Sequence, residues 1–108
     1  MNIGEYQEKS WRTINKELEI GELLANMIIG IFGESGEVAD IVKKHLYQGH
    51  KLDIAHVEEE LGDVMWYIAN LCNLLGIKME DVLEGNYKKL VNRFPEGFSE
   101  ERSINREE

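Results

Sequence analysis

Apolar residues recur along most of this chain at intervals of three and four, the spacing that lines one side of an α-helix. In IGEYQEKSWRTIN, Ile3, Tyr6, Ser10, Trp11 and Ile14 fall near one face and predict a short amphipathic helix. From Glu17 to about Leu46 the pattern is again helical, carried by Leu18, Leu23, Leu24, Met27, Ile28, Ile31, Phe32, Val38, Ile41 and Val42. YQGHKLD then reads as a turn, with Gly49 as a stop signal and Asp53 as the N-cap of a third helix over Ile54 to Leu75, ended by Gly76. KMEDVLEGNYKKLVNRF predicts a fourth helix, closed by Pro95, the only proline. The polar tail EGFSEERSINREE reads as irregular. No segment keeps a period of two, so the expected fold class is all-α, with four main helices. The second and third helices are apolar nearly all round and must be covered on several sides. One chain of this length has too few helices for that. A dimer or higher assembly is therefore expected.

Composition narrows the picture. At 108 residues the chain is expected to form one domain over 1–108, with 31% charged and 43% hydrophobic residues, a globular balance. Its longest apolar run falls far short of the ~20 residues that span a bilayer. No basic leader or cleavage-site pattern opens it, so a cytoplasmic location is expected and no membrane partner. The single cysteine, Cys72, lies in IANLCNLLG and reads as a small buried apolar residue. A formal net charge of −9 excludes general affinity for a nucleic acid polymer. It also opposes phosphate ligands, unless metal neutralises the acids.

The acids are placed to be neutralised in that way. Between Leu23 and Ala39 the only charged residues are Glu34 and Glu37; between Leu61 and Leu75 the only one is Asp63, three after Glu60. ESGE and ELGD each put two carboxylates on one helix face. If the two long helices pack antiparallel across the turn at 47–52, Glu37 lies about twelve positions before its centre and Glu60 about eleven after it. The two pairs then face each other. Clustered carboxylates repel by roughly 4 kcal/mol per close pair at an effective dielectric of ~20, so protons or cations must sit among them. Oxygen ligands without accompanying His or Cys select Mg2+ or Mn2+ over zinc. Gly36 and Gly62, each just before the second acid of its pair, are expected to let the helix backbones approach closely. Glu58 and Glu59 read as solvated first-turn acids.

Together these segments resemble the MazG-like all-α nucleoside triphosphate pyrophosphohydrolases, in their phage and bacterial branch. EYQEKSWRT is similar to that branch's opening helix, GESGEVADIVKKHLYQGH and EEELGDVMWYIANL to its metal-binding helices, and NYKKLVNRFPEGFS with SINR to its final helix and tail. The family pattern, EExxE followed by ExxD, matches Glu34, Glu37, Glu60 and Asp63. The first glutamate of its doublet is Gly33 here, which removes an outer-sphere carboxylate. In the related dCTP-pyrophosphatase branch a tyrosine follows the aspartate by four, and Tyr67 fits. The resemblance implies Mg2+-dependent hydrolysis of a (d)NTP between the α and β phosphates, giving a (d)NMP and pyrophosphate, by an obligate homodimer, often a dimer of dimers (a homotetramer), whose four-helix-bundle core is completed by oligomerisation. It implies that Glu34, Glu37, Glu60 and Asp63 are the catalytic metal ligands, and that Asn86, Lys89 and Arg93, at i, i+3 and i+7, meet phosphate and ribose. Lys44, seven after Glu37 and on its face, is a further candidate for phosphate, against a plain i, i+4 pair with Asp40. Tyr67 and Trp66 either stack on a base or pack the core, and for Trp66 the core reading is preferred.

Two other functions fit parts of the pattern. A di-iron carboxylate bundle needs E-x-x-H pairs, and none of His45, His50 or His56 has a glutamate three before it. A non-catalytic helical dimerisation or regulatory module has no need of acids at matched positions in two apolar helices. Release of pyrophosphate from nucleotides separates that module from an enzyme.

Overall fold

The computed structural model describes residues 1–106. Its elements are α1 (Ile3–Ser10), a 3-10 turn (Trp11–Thr13), α2 (Ile20–Tyr47), α3 (Ile54–Leu75), α4 (Met79–Arg93) and α5 (Glu100–Ile104). No strand forms among these residues, and one isolated bridge joins Pro95 and Gly97. The fold is all-α, as expected.

Local chemistry sets most of the boundaries. Asn2 caps α1 by accepting the Glu5 N–H at 2.8 Å. Asp53 caps α3 by accepting the His56 N–H at 3.1 Å, and Gly76, at φ 69°, ends it in the left-handed conformation that glycine adopts without strain. Two expected boundaries move. The first helix stops at Ser10 and tightens into the 3-10 turn, where Thr13 Oγ1 donates to the Ser10 carbonyl and accepts from Trp66 Nε1. The second begins at Ile20 instead of Glu17, because Glu19 and Glu22 form a capping box there. Ile14 and Leu18, whose spacing continues the helical pattern, instead belong to the connection and pack against Leu23 and Met27. The tail is not wholly irregular, since Ser99 accepts the Arg102 N–H and nucleates α5. Glu58 and Glu59 lie in the second turn of α3, not its first.

α2 and α3 form the long antiparallel hairpin, as Gly30 opposite Tyr67 and Glu34 opposite Glu60 and Asp63 show. Ile14, Leu23 and Met27 make one core cluster with Trp11, Trp66, Tyr67, Leu71 and Leu74 around it. Ala69, Cys72 and Met79 make a second, covered by Tyr6 and Ile68. The close helix approach falls at Gly30, where a Cβ would land on the Tyr67 ring. Gly36 and Gly62, expected to serve that role, meet nothing within 4 Å.

A buried amide network fastens α1 across α3 and the start of α4. Gln7 Nε2 donates to Asn73 Oδ1 at 3.0 Å and to the Ile77 carbonyl at 2.9 Å, while its Oε1 accepts the Met79 N–H at 2.8 Å. Asn73 returns a bond to the Gln7 carbonyl, and Asn70 ties Asn73 and Ser10 into the set. Unpaired, these polar groups would be costly to bury; paired, they fix the register of three helices.

The chain alone does not cover its apolar surface. Ile29 is 69% exposed, Phe32 76% and Tyr87 64%. The radius of gyration is 17.2 Å, against ~13 Å for a compact domain near this length.

Candidate metal centre

Glu34 comes from the middle of α2, and Glu60 and Asp63 from successive turns of α3. Antiparallel packing sets them opposite one another, with carboxylate oxygens all within 4.8 Å. Glu34 and Glu60 are half-buried and Asp63 is exposed at the rim. Protonated Glu34 donates a hydrogen bond to the Glu60 carboxylate, which raises the Glu34 pKa above the usual carboxylate value, aided by burial and by the charges of Asp63, Glu60 and Glu37. Without metal, a proton is thus favoured on Glu34, which is how crowded carboxylates lower their repulsion. Glu37 lies exposed one turn along α2; its charge reaches Glu34, but it stands outside the three-residue group.

The donor set suits a hard divalent cation. Mg2+ binds oxygen at about 2.0–2.1 Å, so two oxygens on one ion lie at most ~4.2 Å apart, within small rotamer changes of the spacing seen. Mn2+ takes similar oxygen donors. One nitrogen stands beside the group, which the sequence spacing did not single out. His56 Nε2 lies 3.3 Å from Glu60 Oε1, an i, i+4 contact at the rim.

The residues expected to bind substrate distribute unevenly. Lys44 Nζ sits 2.7 Å from Asp40 Oδ2, with Lys43 at 3.5 Å from the same carboxylate. The hydrogen bond with Lys44 lowers the Asp40 pKa, and the same bond raises that of Lys44, with Glu37 adding to the rise. The plain Asp40 pair therefore describes Lys44 in this state. Tyr67 lies one turn beyond Asp63, its ring over Gly30 and edge-on to Trp66 with centroids 5.0 Å apart. Trp66 packs against the core, as preferred. Asn86 and Lys89 are exposed on α4 and Arg93 is half-buried at its end. No α4 cation is among the charges acting on Glu34.

Tyr6 is a neighbour that sequence reading placed only on an apolar face. Burial, then the Asp63 charge, raises its hydroxyl pKa, so α1 reaches the vicinity of the acids. It lines an apolar groove with Ile3, Gly62, Met65, Met79 and Leu83.

With this geometry in place, comparison with known proteins is decisive. The profile of the MazG nucleotide pyrophosphohydrolase domain matches residues 22–98, which include both acid pairs and all but the first two residues of the α2–α3 hairpin. The chain belongs to the MazG nucleotide pyrophosphohydrolase family. Among relatives of this MazG chain, "Gene 37 protein" of Mycobacterium phage L5 is 37% identical over 92 residues, covering 79% of this chain and 78% of that protein. "Uncharacterized protein YvdC" of Bacillus subtilis (strain 168) is 26% identical over 98 residues, covering 82% and 85%. No solved structure gives a significant match to this MazG chain. No helix among the described residues is long and apolar enough to cross a membrane.

Proposed function

We propose that this chain is a single MazG-type domain that hydrolyses a (d)NTP between its α and β phosphates, releasing a (d)NMP and pyrophosphate. The observation that carries this reading is the convergence of Glu34, Glu60 and Asp63 from two antiparallel helices in a chain of this family. Glu34, Glu37, Glu60 and Asp63 hold Mg2+, for which Mn2+ can substitute. The bound cation supplies polarisation of phosphoryl oxygens and an acidified water. The protein's own share is positional. The hairpin fixes the carboxylates before substrate arrives, so little reorganisation is needed. A carboxylate oxygen not spent on metal orients the attacking water and accepts its proton. Asn86, Lys89 and Arg93 neutralise and align the phosphate chain, while Tyr67 packs beside the sugar and base. The working form is a homodimer or homotetramer in the cytoplasm.

The test is direct. Purified protein incubated with a panel of standard and damaged (d)NTPs and Mg2+ should yield monophosphate and pyrophosphate in equal amounts, and nothing after chelation. Release of orthophosphate, or no release from any nucleotide, overturns the reading.

A further inference from the structure

We infer that His56 is a ligand of the proposed metal centre: its Nε2 and Glu60 Oε1 together take a divalent transition-metal cation, on the side of the acid cluster nearest the hairpin turn. This inference rests on the metal-binding part of the proposed function. It deepens that reading by naming a nitrogen donor and the class of cation which that donor selects.

The geometry carries it. His56 and Glu60 are four apart on α3, the spacing at which two side chains of one helix face close on a single ion. Nε2 lies 3.3 Å from Oε1. Two donors at right angles on an octahedral ion, each bonded at ~2.1 Å, stand ~3.0 Å apart. A small side-chain rotation brings the pair to that spacing. An N–H···O hydrogen bond runs at about 2.7–3.2 Å, so the contact is long for one. The His56 side chain is 49% exposed and that of Glu60 15%. A hydrated ion therefore reaches the nitrogen from solvent, while the oxygen stays in the cleft. Asp53 fixes the backbone beneath the ring by accepting the His56 N–H at 3.1 Å.

Glu60 also meets Glu34, so one carboxylate stands between the three-acid group and the imidazole. His56 is not part of that group, whose oxygens all lie within 4.8 Å of one another. It serves a second position beside the first. Paired ions in such sites lie ~3.5–4 Å apart, a gap that a bridging carboxylate spans. Glu37 lies toward the same end of the hairpin, since α2 approaches the turn beyond Glu34 and α3 leaves the turn before Glu60. A second position there gives a use to an acid whose charge reaches Glu34 from outside the group. The positive end of α3 opposes a cation near its first turn, and Asp53, Glu58 and Glu59 offset that field together with Glu60.

The donor set then selects the cation. Oxygen ligands alone suit Mg2+, whereas a neutral imidazole raises affinity for first-row transition cations, Co2+ above Mn2+. The competing account is a plain i, i+4 pair on a helix surface with no part in metal binding.

Tag-free protein loaded with Mn2+ alone gives the direct test. Pulsed electron paramagnetic resonance should show modulation from an imidazole nitrogen in the parent and in His45→Ala with His50→Ala, and none in His56→Ala. No nitrogen modulation in the parent overturns the inference. So does modulation that survives in His56→Ala or vanishes with His45 and His50. Calorimetric titration reads the selectivity: His56→Ala should weaken Co2+ binding by at least ~10-fold and leave Mg2+ affinity nearly unchanged. His56→Gln keeps an N–H that can hold Glu60 but has no imidazole lone pair, so it should behave as His56→Ala does. Parental Co2+ affinity in His56→Gln would make His56 a hydrogen-bonding prop and overturn its role as a ligand. None of these readouts uses a nucleotide. A parent that binds Mn2+ through nitrogen yet cleaves no nucleotide keeps the His56 assignment and loses the proposed activity. A parent that cleaves nucleotides with no nitrogen at its Mn2+ does the reverse.

Discussion

Glu34 carries the charge balance of the acid cluster, because the hydrogen bond it donates to Glu60 and the charges of the surrounding carboxylates favour its protonated form. A carboxyl whose pKa is raised on folding stabilises the metal-free protein below the ordinary carboxylate pKa. That contribution is lost as pH rises through the raised value. Mg2+ held there as proposed would reverse the sign, since it would bind the deprotonated cluster and its affinity would grow across the same window. The melting temperature of metal-free protein should therefore fall on raising pH through this range, and the increment added by saturating Mg2+ should rise. In Glu34→Gln both trends should flatten, as thermal scans at matched ionic strength would show. Asp63→Asn removes a ligand of the proposed metal site and its charge together. It should abolish hydrolysis while leaving the metal-free fold as stable as the parent or more so, and it should respond far less to Mg2+. Near-parental turnover in Asp63→Asn would show that the acids are not the metal site. These acids were readable from sequence because they interrupt two apolar segments at matching distances from a turn. The three-residue grouping was not, since whether Glu37 or Glu60 lies nearest Glu34 depends on helix rotation, which spacing alone does not specify. Nor was the state of Lys44, because Asp40 and Glu37 are both within reach of one flexible side chain.

The Asp53 and Gly76 boundaries of α3 were read correctly from sequence, while the start of α2, set by the Glu19–Glu22 capping box, was not. Asp53 and Gly76 delimit α3 through chemistry confined to a few residues. The connection between α1 and α2 keeps a helical spacing of apolar residues, yet Ile14 and Leu18 satisfy it by packing on Leu23 and Met27 from a non-helical chain. α5 escaped for the opposite reason: its Ser99 cap is local, but the turn that follows has no apolar face to announce it. The glycines show the same division. A glycine in a helix advertises space without saying what fills it, and only the structure shows that Tyr67 fills the space at Gly30. Gly30→Ala should force the ring away and destabilise the hairpin by ~1–3 kcal/mol, measured by urea unfolding, even though alanine is the better helix former. Pairing it with Tyr67→Leu should recover part of the loss, and additive losses would show that the two positions do not touch. Gln7→Leu should cost more than its exchange of amide for methyl groups suggests, about 1–3 kcal/mol for each buried partner left unpaired, because Met79 N–H, the Ile77 carbonyl and Asn73 all depend on it.

At the scale of the whole molecule, the sequence pointed to incompleteness and the structure shows where it lies. Ile29 and Phe32 on α2 and the stripe of α4 are exposed in a chain whose core is two small clusters. Burying a single Leu or Phe contributes ~1.5–3 kcal/mol, so an oligomer of the kind proposed would gain much of its stability by covering these residues. Its melting temperature should then rise with protein concentration over the micromolar range, as mass action requires when folding and association are linked. Leu83→Glu with Leu90→Glu places two charges on the exposed apolar stripe of α4 at Leu83, Tyr87 and Leu90, whose first member also borders the groove lined by Tyr6 and Met79. Helicity by circular dichroism should change little, since both sites are exposed on one chain. Sedimentation should show loss of the oligomer proposed above or of its compactness, and hydrolysis should fall with it if that oligomer is the working form. Full activity in a variant that sediments as a monomer would mean that each chain completes its own site.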